Sequence, residues 1–486
     1  MSAIKKQKTS QDATCLELEV DEIMDMLPSF SGTENVIEWG AREGRFTSAL
    51  ASKVDTLRVM ESDPSLFQEN VSRNGEKSNV TLVMEEGRAS KPCKDSVDML
   101  MTNWTLMYVD DDDMRNVVDN MLDTIRTGGY LFMRESCFQK SGIENTNTHG
   151  PTAHYRHPSF YVDALRRAFQ ETKEASSPEG EGKSNVTYFE LVSSRSISAY
   201  RKLKGNHGQV CFLWKKVEQT CTAKEMVSFQ KFLDEAQYSV KSILRYEKIF
   251  GKGYVSTGGQ ETTTEFVTKL ALKQGDRVLD VGCGIGGGNF YMAEEFGASV
   301  VGIDLSTNMI HFALERAVEK SALDVEFEIC DATAKVFPEC SFDVVYSRDT
   351  ILHIEDKASL FASFFKWLKP GGQVMISDYC CGETEPSDRF KTYVAGRGYH
   401  LLSPIEYGKV LESVGFEEVV VSDRTEQFIK VLNKEVERTL KQEEDFVNET
   451  SQEDFDAIID GWKTKIVRCN DGDQKWGFFM AKKPLV

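Results

Sequence analysis

Short runs of β-branched and aromatic residues alternate with helical patterns along most of the chain. In the C-terminal part, residues 277–281, 299–303, 325–330, 342–347 and 373–377 read as strands, and residues 308–319 and 358–368 carry helical periodicity. That alternation predicts a largely parallel sheet covered by helices on both faces. Ahead of it, residues 227–250 read as helix, with Phe229, Phe232, Leu233, Ala236, Val240, Ile243 and Leu244 as the apolar stripe.

The same order of features occurs twice. VIEWGAREGRFTSALA opens the first pattern and VLDVGCGIGGGNFYMA the second. Gly40 and Gly282 are 242 residues apart, Asp98 and Asp343 245, and Gly128 and Gly371 243. VCFLWKK and GFFMAKK close the two halves alike. A near-constant offset over several features indicates one fold in tandem. The expected division is an N-terminal extension over residues 1–27, a first domain over 28–217, a linker over 218–225 and a second domain over 226–486. The polar stretch over residues 194–224 closes the first half and leads into the second.

Composition narrows the function classes. The 486 residues are 40% hydrophobic and 28% charged, with a formal net charge of −19. That balance argues against wholesale disorder, and the negative charge against a general nucleic-acid or anionic-membrane binder. The apolar runs are too short for a membrane span, and the first residues lack the apolar core of a signal peptide. Eleven scattered cysteines without a C-x-x-C pair fit reduced thiols in a cytoplasmic protein and no structural zinc. His149, His154 and His157 cluster near one loop of the first half, but no metal is expected there.

The strongest chemical signal is DVGCGIGGG over residues 280–288, a glycine loop between a strand and a helix. Glycines there let a ligand lie against main-chain atoms. Gly282-x-Gly284-x-x-Gly287 also fits the dinucleotide fingerprint, with Asp304 placed to hold a ribose, so the loop alone leaves a dehydrogenase open. Three additions shift the balance. Asp280 can meet a cationic amino-acid moiety, Asp331 in ICDAT can accept from an adenine amine, and LKPGG over residues 368–372 ends a helix before a strand. Each acid taken singly also reads as a helix cap or strand end. Together they resemble the S-adenosylmethionine-dependent methyltransferases with a Rossmann-like sheet. The implied fold is two class I methyltransferase domains in tandem, each a mostly parallel seven-stranded sheet, the second with a helical lid.

YEKIFG (246–251), YVSTGG (254–259), YSRDTILH (346–353), SDYC (377–380) and DGWKTK (460–465) go further. This set resembles the phosphoethanolamine N-methyltransferases, the phosphobase-methylating enzymes of plants, nematodes and Plasmodium. The likeness to the single-domain Plasmodium form covers about residues 226–486. The two-domain layout with one C-terminal active site resembles the second nematode form, which carries out the later methylations towards phosphocholine. The resemblance implies a catalytic pair, Tyr238 and His353. It places S-adenosylmethionine, with S-adenosylhomocysteine as product and no metal, on Gln237, Val255, Ser256, Asp280, Gly282, Gly284, Asp304, Leu305, Asp331, Ala332 and Arg348. It places the phosphobase on Tyr246, Asp349, Tyr379, Tyr393, Arg397, Tyr399 and Lys465.

Chemistry read from the residues agrees. A protonated amine has no lone pair, and a neutral histidine can relieve it of its proton. An anionic acceptor in so acidic a chain requires a local cationic pocket, which Arg397 and Lys465 can supply. On their own, His353 also reads as a buried core histidine, Tyr238 as packing on a lid, and Arg397 and Lys465 as surface charges. In the first half Arg42 stands at the place of Gly284, Trp104 at that of Asp349 and Tyr108 at that of His353, while Glu61 matches Asp304. A retained fold without a working cofactor site is expected there, an anionic ligand for Arg42 being the alternative. For the whole chain, a lipid or sterol methyltransferase and a silent S-adenosylmethionine-binding scaffold compete with the phosphobase reading. No nucleic-acid partner or stable membrane insertion is expected, and no protein partner is indicated.

Overall fold

A computed structural model describes residues 2–85, 94–138, 152–173, 184–221, 229–321 and 323–485. The chain forms two compact units, Met1–Ser228 and Phe229–Val486. No helix among the described residues is long and apolar enough to cross a membrane.

In the first unit the strands are β1 (Asn35–Trp39), β2 (Thr56–Glu61), β3 (Val80–Met84), β4 (Val97–Asn103), β5 (Ile125–Ser136), β6 (Phe169–Lys173), β7 (Ser184–Ser196) and β8 (Gln209–Cys221). They run in the order β3-β2-β1-β4-β5-β8-β7. The first five are parallel, and β8 is antiparallel to β5 and β7. Among the described residues, β6 pairs with β7 and adds an eighth strand to the seven expected. Residues 1–27 are not a free extension. They carry a helix, Ser2–Met26, and Cys15, Ile23 and Leu27 lie in the unit's core with Phe46 and Leu50. Residues 218–221, expected as linker, complete β8, and the rest of that segment lies outside the described residues.

The second unit holds β9 (Arg277–Val281), β10 (Ser299–Asp304), β11 (Val325–Ile329), β12 (Phe342–Arg348), β13 (Leu368–Cys381), β14 (Glu417–Asp423) and β15 (Gln474–Lys482). Their order is β11-β10-β9-β12-β13-β15-β14, with β15 antiparallel between β13 and β14. The near-continuous apolar runs of β9 and β12 are buried because helices cover both faces. Leu279, Val345, Phe361, Phe364 and Tyr407 lie at the heart of that core.

The helical stretch ahead of this sheet is not continuous. Residues Phe229–Phe232 and a π-helical turn over Leu233–Gln237 end at Tyr238, and a new helix, Val240–Phe250, begins after Ser239. Ser239 caps it by accepting from the backbone N–H of Ser242. The break has a visible cause. Buried Asp234 accepts from the hydroxyls of Ser306 (2.7 Å) and Thr307 (2.6 Å), and the Asn308 amide donates to the carbonyls of Asp234 and Tyr238. These bonds hold the first piece over the end of β10. With the stripe broken, Leu233 and Ile243 stay buried, while Phe229, Phe232, Val240 and Leu244 are exposed.

The turn after β9 is set by Gly282, at φ +79°, where an added Cβ would lie 2.1 Å from the Thr350 hydroxyl. Thr350 opens the turn that carries His353, so Gly282 fixes how closely the β9 and β12 loops approach. Gly282→Ala is expected to destabilise the protein by about 1–3 kcal/mol, with about 2–4 °C of thermal midpoint lost per kcal/mol for a unit of this size. A calorimetric scan showing an unchanged midpoint would contradict this.

Candidate active site

Two cavities meet at the C-terminal ends of β9, β10, β12 and β13. The first, of about 590 Å³, is lined by Val255, Ser256, Asp280, Gly282, Gly284, Asp304, Leu305, Asp331, Ala332 and Arg348. The second, of about 370 Å³, is lined by Gln237, Tyr246, Tyr379, Tyr393, Arg397, Tyr399 and Lys465. Tyr238, Val255, Ser256, Asp349 and His353 line both. All twenty residues singled out from the sequence therefore reach one cavity or the other. Gln237, expected on the cofactor, lies in the second cavity, its amide 3.4 and 3.5 Å from the hydroxyls of Tyr238 and Tyr399.

The first cavity is acidic. Asp280, on β9, is buried and accepts no hydrogen bond from the described residues, and burial, with Asp304 nearby and Arg348 opposing, pushes its carboxyl up to about 8. A buried carboxylate so placed favours a cationic ligand. Asp304 accepts from the N–H groups of Gly284 and Ser306, each at 2.9 Å. Burial still raises its carboxyl to about 6. Asp331 uses Oδ1 to cap its own turn, accepting from the Thr333 N–H and hydroxyl, which leaves Oδ2 for a ligand. A Cβ at Gly284 would sit 2.7 Å from Val255 Cγ2, so the loop keeps room that only glycine leaves. Arg348 is spent inside the fold, donating to Thr263 Oγ1 (2.8 Å) and the Thr257 carbonyl (2.5 Å). These three acceptors fit S-adenosylmethionine, with an acid for the amino-acid ammonium, one for ribose hydroxyls and one for the adenine amine.

The second cavity is cationic and aromatic. Lys465 Nζ lies 3.3 Å from the Tyr379 hydroxyl and 4.4 Å from the Trp462 ring centroid. Burial pushes its ammonium down to about 8, with Glu435 opposing and Arg468 adding to the shift. An anion in this cavity would reverse that shift. The Arg468 guanidinium stacks 3.8 Å from the Tyr393 ring, and Arg397 faces the same ring at 5.9 Å. Trp462 and Arg468 were not among the residues expected here. They stand three residues before and after Lys465 on one helix, Gln452–Asn470, so its helical spacing already placed all three on one face.

Between the cavities, Tyr238 Oη lies 3.2 Å from His353 Nε2. His353 ends the short helical turn Ile351–His353 after β12. Burial, followed by the charges of Arg397, Lys357 and His400, lowers its imidazole to about 4. The ring is therefore neutral near pH 7. Asp349 takes the left-handed region at φ +51° and is held there by the Trp476 indole N–H (2.9 Å) and the Thr257 N–H (3.3 Å).

The first unit repeats the frame with other side chains. The Arg42 N–H donates to Glu61 at 2.6 Å as the Gly284 N–H does to Asp304, and φ is +52° against +55°. Trp104, also at φ +52°, donates its N–H to the Arg134 carbonyl as Asp349 does to that of Ser377. The Trp104 ring carries the Arg134 guanidinium at 3.9 Å. Glu38 matches Asp280 in register but accepts from the Thr47 hydroxyl at 2.5 Å. Arg45 and Phe46 replace two further loop glycines. Of the three histidines there, His154 contacts Asp110 (3.1 Å), His157 caps the helix Pro158–Arg166, and His149 lies outside the described residues.

The full-length chain is expected to bind one equivalent of S-adenosylmethionine by titration calorimetry. Gly284→Arg should abolish that binding, and Arg42→Gly should add no second site. Two equivalents in the unaltered chain would show that the first unit's loop is competent.

Models of a methyltransferase domain match residues 272–477 and residues 37–133. The chain is 46% identical over 477 residues to phosphoethanolamine N-methyltransferase 1 of Zea mays, covering 97% of this chain and 92% of that protein. The Plasmodium falciparum phosphoethanolamine N-methyltransferase is 39% identical over 259 residues, 53% of this chain and 97% of its own length. The structure is similar, with a TM-score of 0.77 and 26% identity, to Haemonchus contortus phosphoethanolamine N-methyltransferase 2 in complex with phosphomonomethylethanolamine and S-adenosylhomocysteine, covering 96% of this chain and 99% of that one. With a tandem methyltransferase fold, paired acidic and cationic cavities and relatives matched along nearly its whole length, the chain belongs to the phosphoethanolamine N-methyltransferases.

Proposed function

We propose that the Phe229–Val486 unit transfers methyl groups from S-adenosylmethionine to the nitrogen of phosphorylated ethanolamines, preferring those already bearing one or two methyl groups, towards phosphocholine. The observation that carries this is the pairing of the two cavities across Tyr238 and His353. The acidic one suits a cationic cofactor, and the one holding Lys465, Arg397 and Arg468 suits a phosphate. Three cations facing one cavity argue against a sterol or a neutral lipid acceptor. The preference for partly methylated acceptors rests on the likeness to the nematode enzyme.

Asp280, Asp304 and Asp331 hold the cofactor, which when bound supplies an electrophilic methyl group on its sulfonium. Lys465, Arg397 and Tyr379 hold the phosphate, and Asp349 orients the amine. His353 takes the proton that leaves the amine, freeing the nitrogen lone pair. Tyr238 closes over the site from the lid and excludes water. A bound phosphate dianion offsets the Arg397 charge, the largest electrostatic contribution holding His353 down, so substrate itself strengthens the base.

Radiolabelled methyl transfer to a panel of phosphobases and free ethanolamines tests this reading. Phosphorylated acceptors should be labelled and free dimethylethanolamine left untouched; equal labelling of both would remove the phosphate from recognition. Lys465→Ala should raise KM for the phosphobase about ten- to a hundredfold, the equivalent of a lost charge-assisted bond of about 1.5–3 kcal/mol. KM for S-adenosylmethionine should barely move.

His353→Ala should lower kcat about a hundred- to ten-thousand-fold while leaving cofactor affinity in place. Because folding lowers the imidazole value, the neutral ring persists as pH falls from the ordinary 6.5 towards about 4. The unbound protein should therefore keep His353 neutral through that window, as proton NMR of the imidazole would show. A ring titrating at 6.5 would contradict the burial argument.

A further inference from the structure

Lys357 is an expensive residue for its place. It is the first residue of the helix Lys357–Trp367, where the helix dipole disfavours a cation, and only 4% of it is exposed. Its ammonium donates to three backbone carbonyls: Ile351 (3.0 Å), Ile354 (2.6 Å) and His400 (2.6 Å). The first opens the turn that carries His353 and the second follows it. The third belongs to the segment after Tyr399, whose ring centroid lies 5.1 Å from that of His353. The His400 N–H also donates to the Leu352 carbonyl at 2.7 Å.

The first unit shows what the turn itself requires. There Arg156 donates to the carbonyls of Leu106 (3.1 Å) and Val109 (2.5 Å), the counterparts of Ile351 and Ile354. Its charge is neutralised by Asp111 at 2.6 Å. Lys357 has no carboxylate within 4 Å among the described residues; Asp378, fully buried, acts on it only electrostatically. Pinning the turn thus needs a cation's donors, with or without a carboxylate in contact. The unit whose cation has no carboxylate in contact is the one with a histidine on the turn.

We propose that Lys357 is a positioning residue for the methyl-transfer site, clamping the His353 turn to the Tyr399 segment and placing a buried positive charge against that turn. This rests on the functional reading above. Tyr238 and Tyr399 touch or pack on the His353 ring, the charges of Arg397, Lys357 and His400 act on it, and Asp349, Glu355 and Asp356 line the same cavity. Of the charges that hold the imidazole down after burial, that of Lys357 stands second to that of Arg397. Losing it moves the titration upwards, so the ring begins to protonate at higher pH.

The test uses the full chain with Lys357→Met, Lys357→Gln and Lys357→Arg. It measures cofactor affinity, kcat and KM for a phosphobase, and the His353 imidazole titration by NMR, assigned by its absence in His353→Gln. Lys357→Met should bind S-adenosylmethionine within about threefold of normal yet lose about ten- to a hundredfold in kcat, as expected when a reacting group is misplaced by about 1 Å. Its imidazole should titrate closer to 6.5. Lys357→Gln keeps amide donors without charge, and should show the same titration shift with a smaller loss of kcat. Lys357→Arg should restore both. An unmoved titration in the neutral variants, or kcat and cofactor affinity falling together in all three, would overturn the proposal. If the unaltered protein methylates no phosphobase while the titration still moves as described, the functional reading fails and the clamp stands.

Discussion

The contact between Tyr238 Oη and His353 Nε2 is the point on which the second unit's architecture converges. Tyr238 belongs to a lid broken out of helix by Ser239 and fastened to the end of β10 through Asp234. His353 belongs to a turn at the end of β12, held by Gly282 on one side and Lys357 on the other. That contact brings together the lid, the β12 turn and, through the Tyr399 ring, the segment after helix Asp388–Arg397. Closing that contact separates an acidic chamber from a cationic one.

This separation is an electrostatic solution to a chemical problem. The reaction brings together a cationic methyl donor, an amine that must be neutral and a phosphate dianion. Asp280 and Asp304 are buried strongly enough to be raised to about 8 and 6, so a cation entering their chamber is favoured. Lys465 is buried strongly enough to be lowered to about 8, so an anion entering its chamber is favoured. His353 sits at the boundary as a free base because both burial and the cations oppose its protonation. The chain's overall charge of −19 is irrelevant to the second chamber, where Arg397, Lys465 and Arg468 set the local field.

Much of this was legible in the sequence because it is repeated. The offset of about 243 residues aligned Arg42 with Gly284 and Trp104 with Asp349, and backbone angles within a few degrees of each other show that those pairs occupy equivalent places. Strand positions in the second unit followed from buried apolar runs. Other features depend on tertiary contacts that no local pattern carries. The lid read as one helix because its apolar spacing is continuous, and the bonds from Asp234 to residues some seventy positions away broke it. Residues 1–27 read as an extension because their helix is weakly patterned, yet Cys15 and Ile23 are buried. Gln237 reads with the cofactor residues in the sequence, whereas the π-helical turn sets it in the second cavity.

Whether Tyr238 and His353 act as one unit is measured most directly by a double-mutant cycle on kcat for a phosphobase, comparing Tyr238→Phe, His353→Gln and the double variant. If the hydroxyl works through the imidazole, the double variant loses about as much as His353→Gln alone, leaving a coupling energy of about 1–3 kcal/mol. Losses that simply add would show that the two side chains act independently, contradicting the view that the site is organised around their contact.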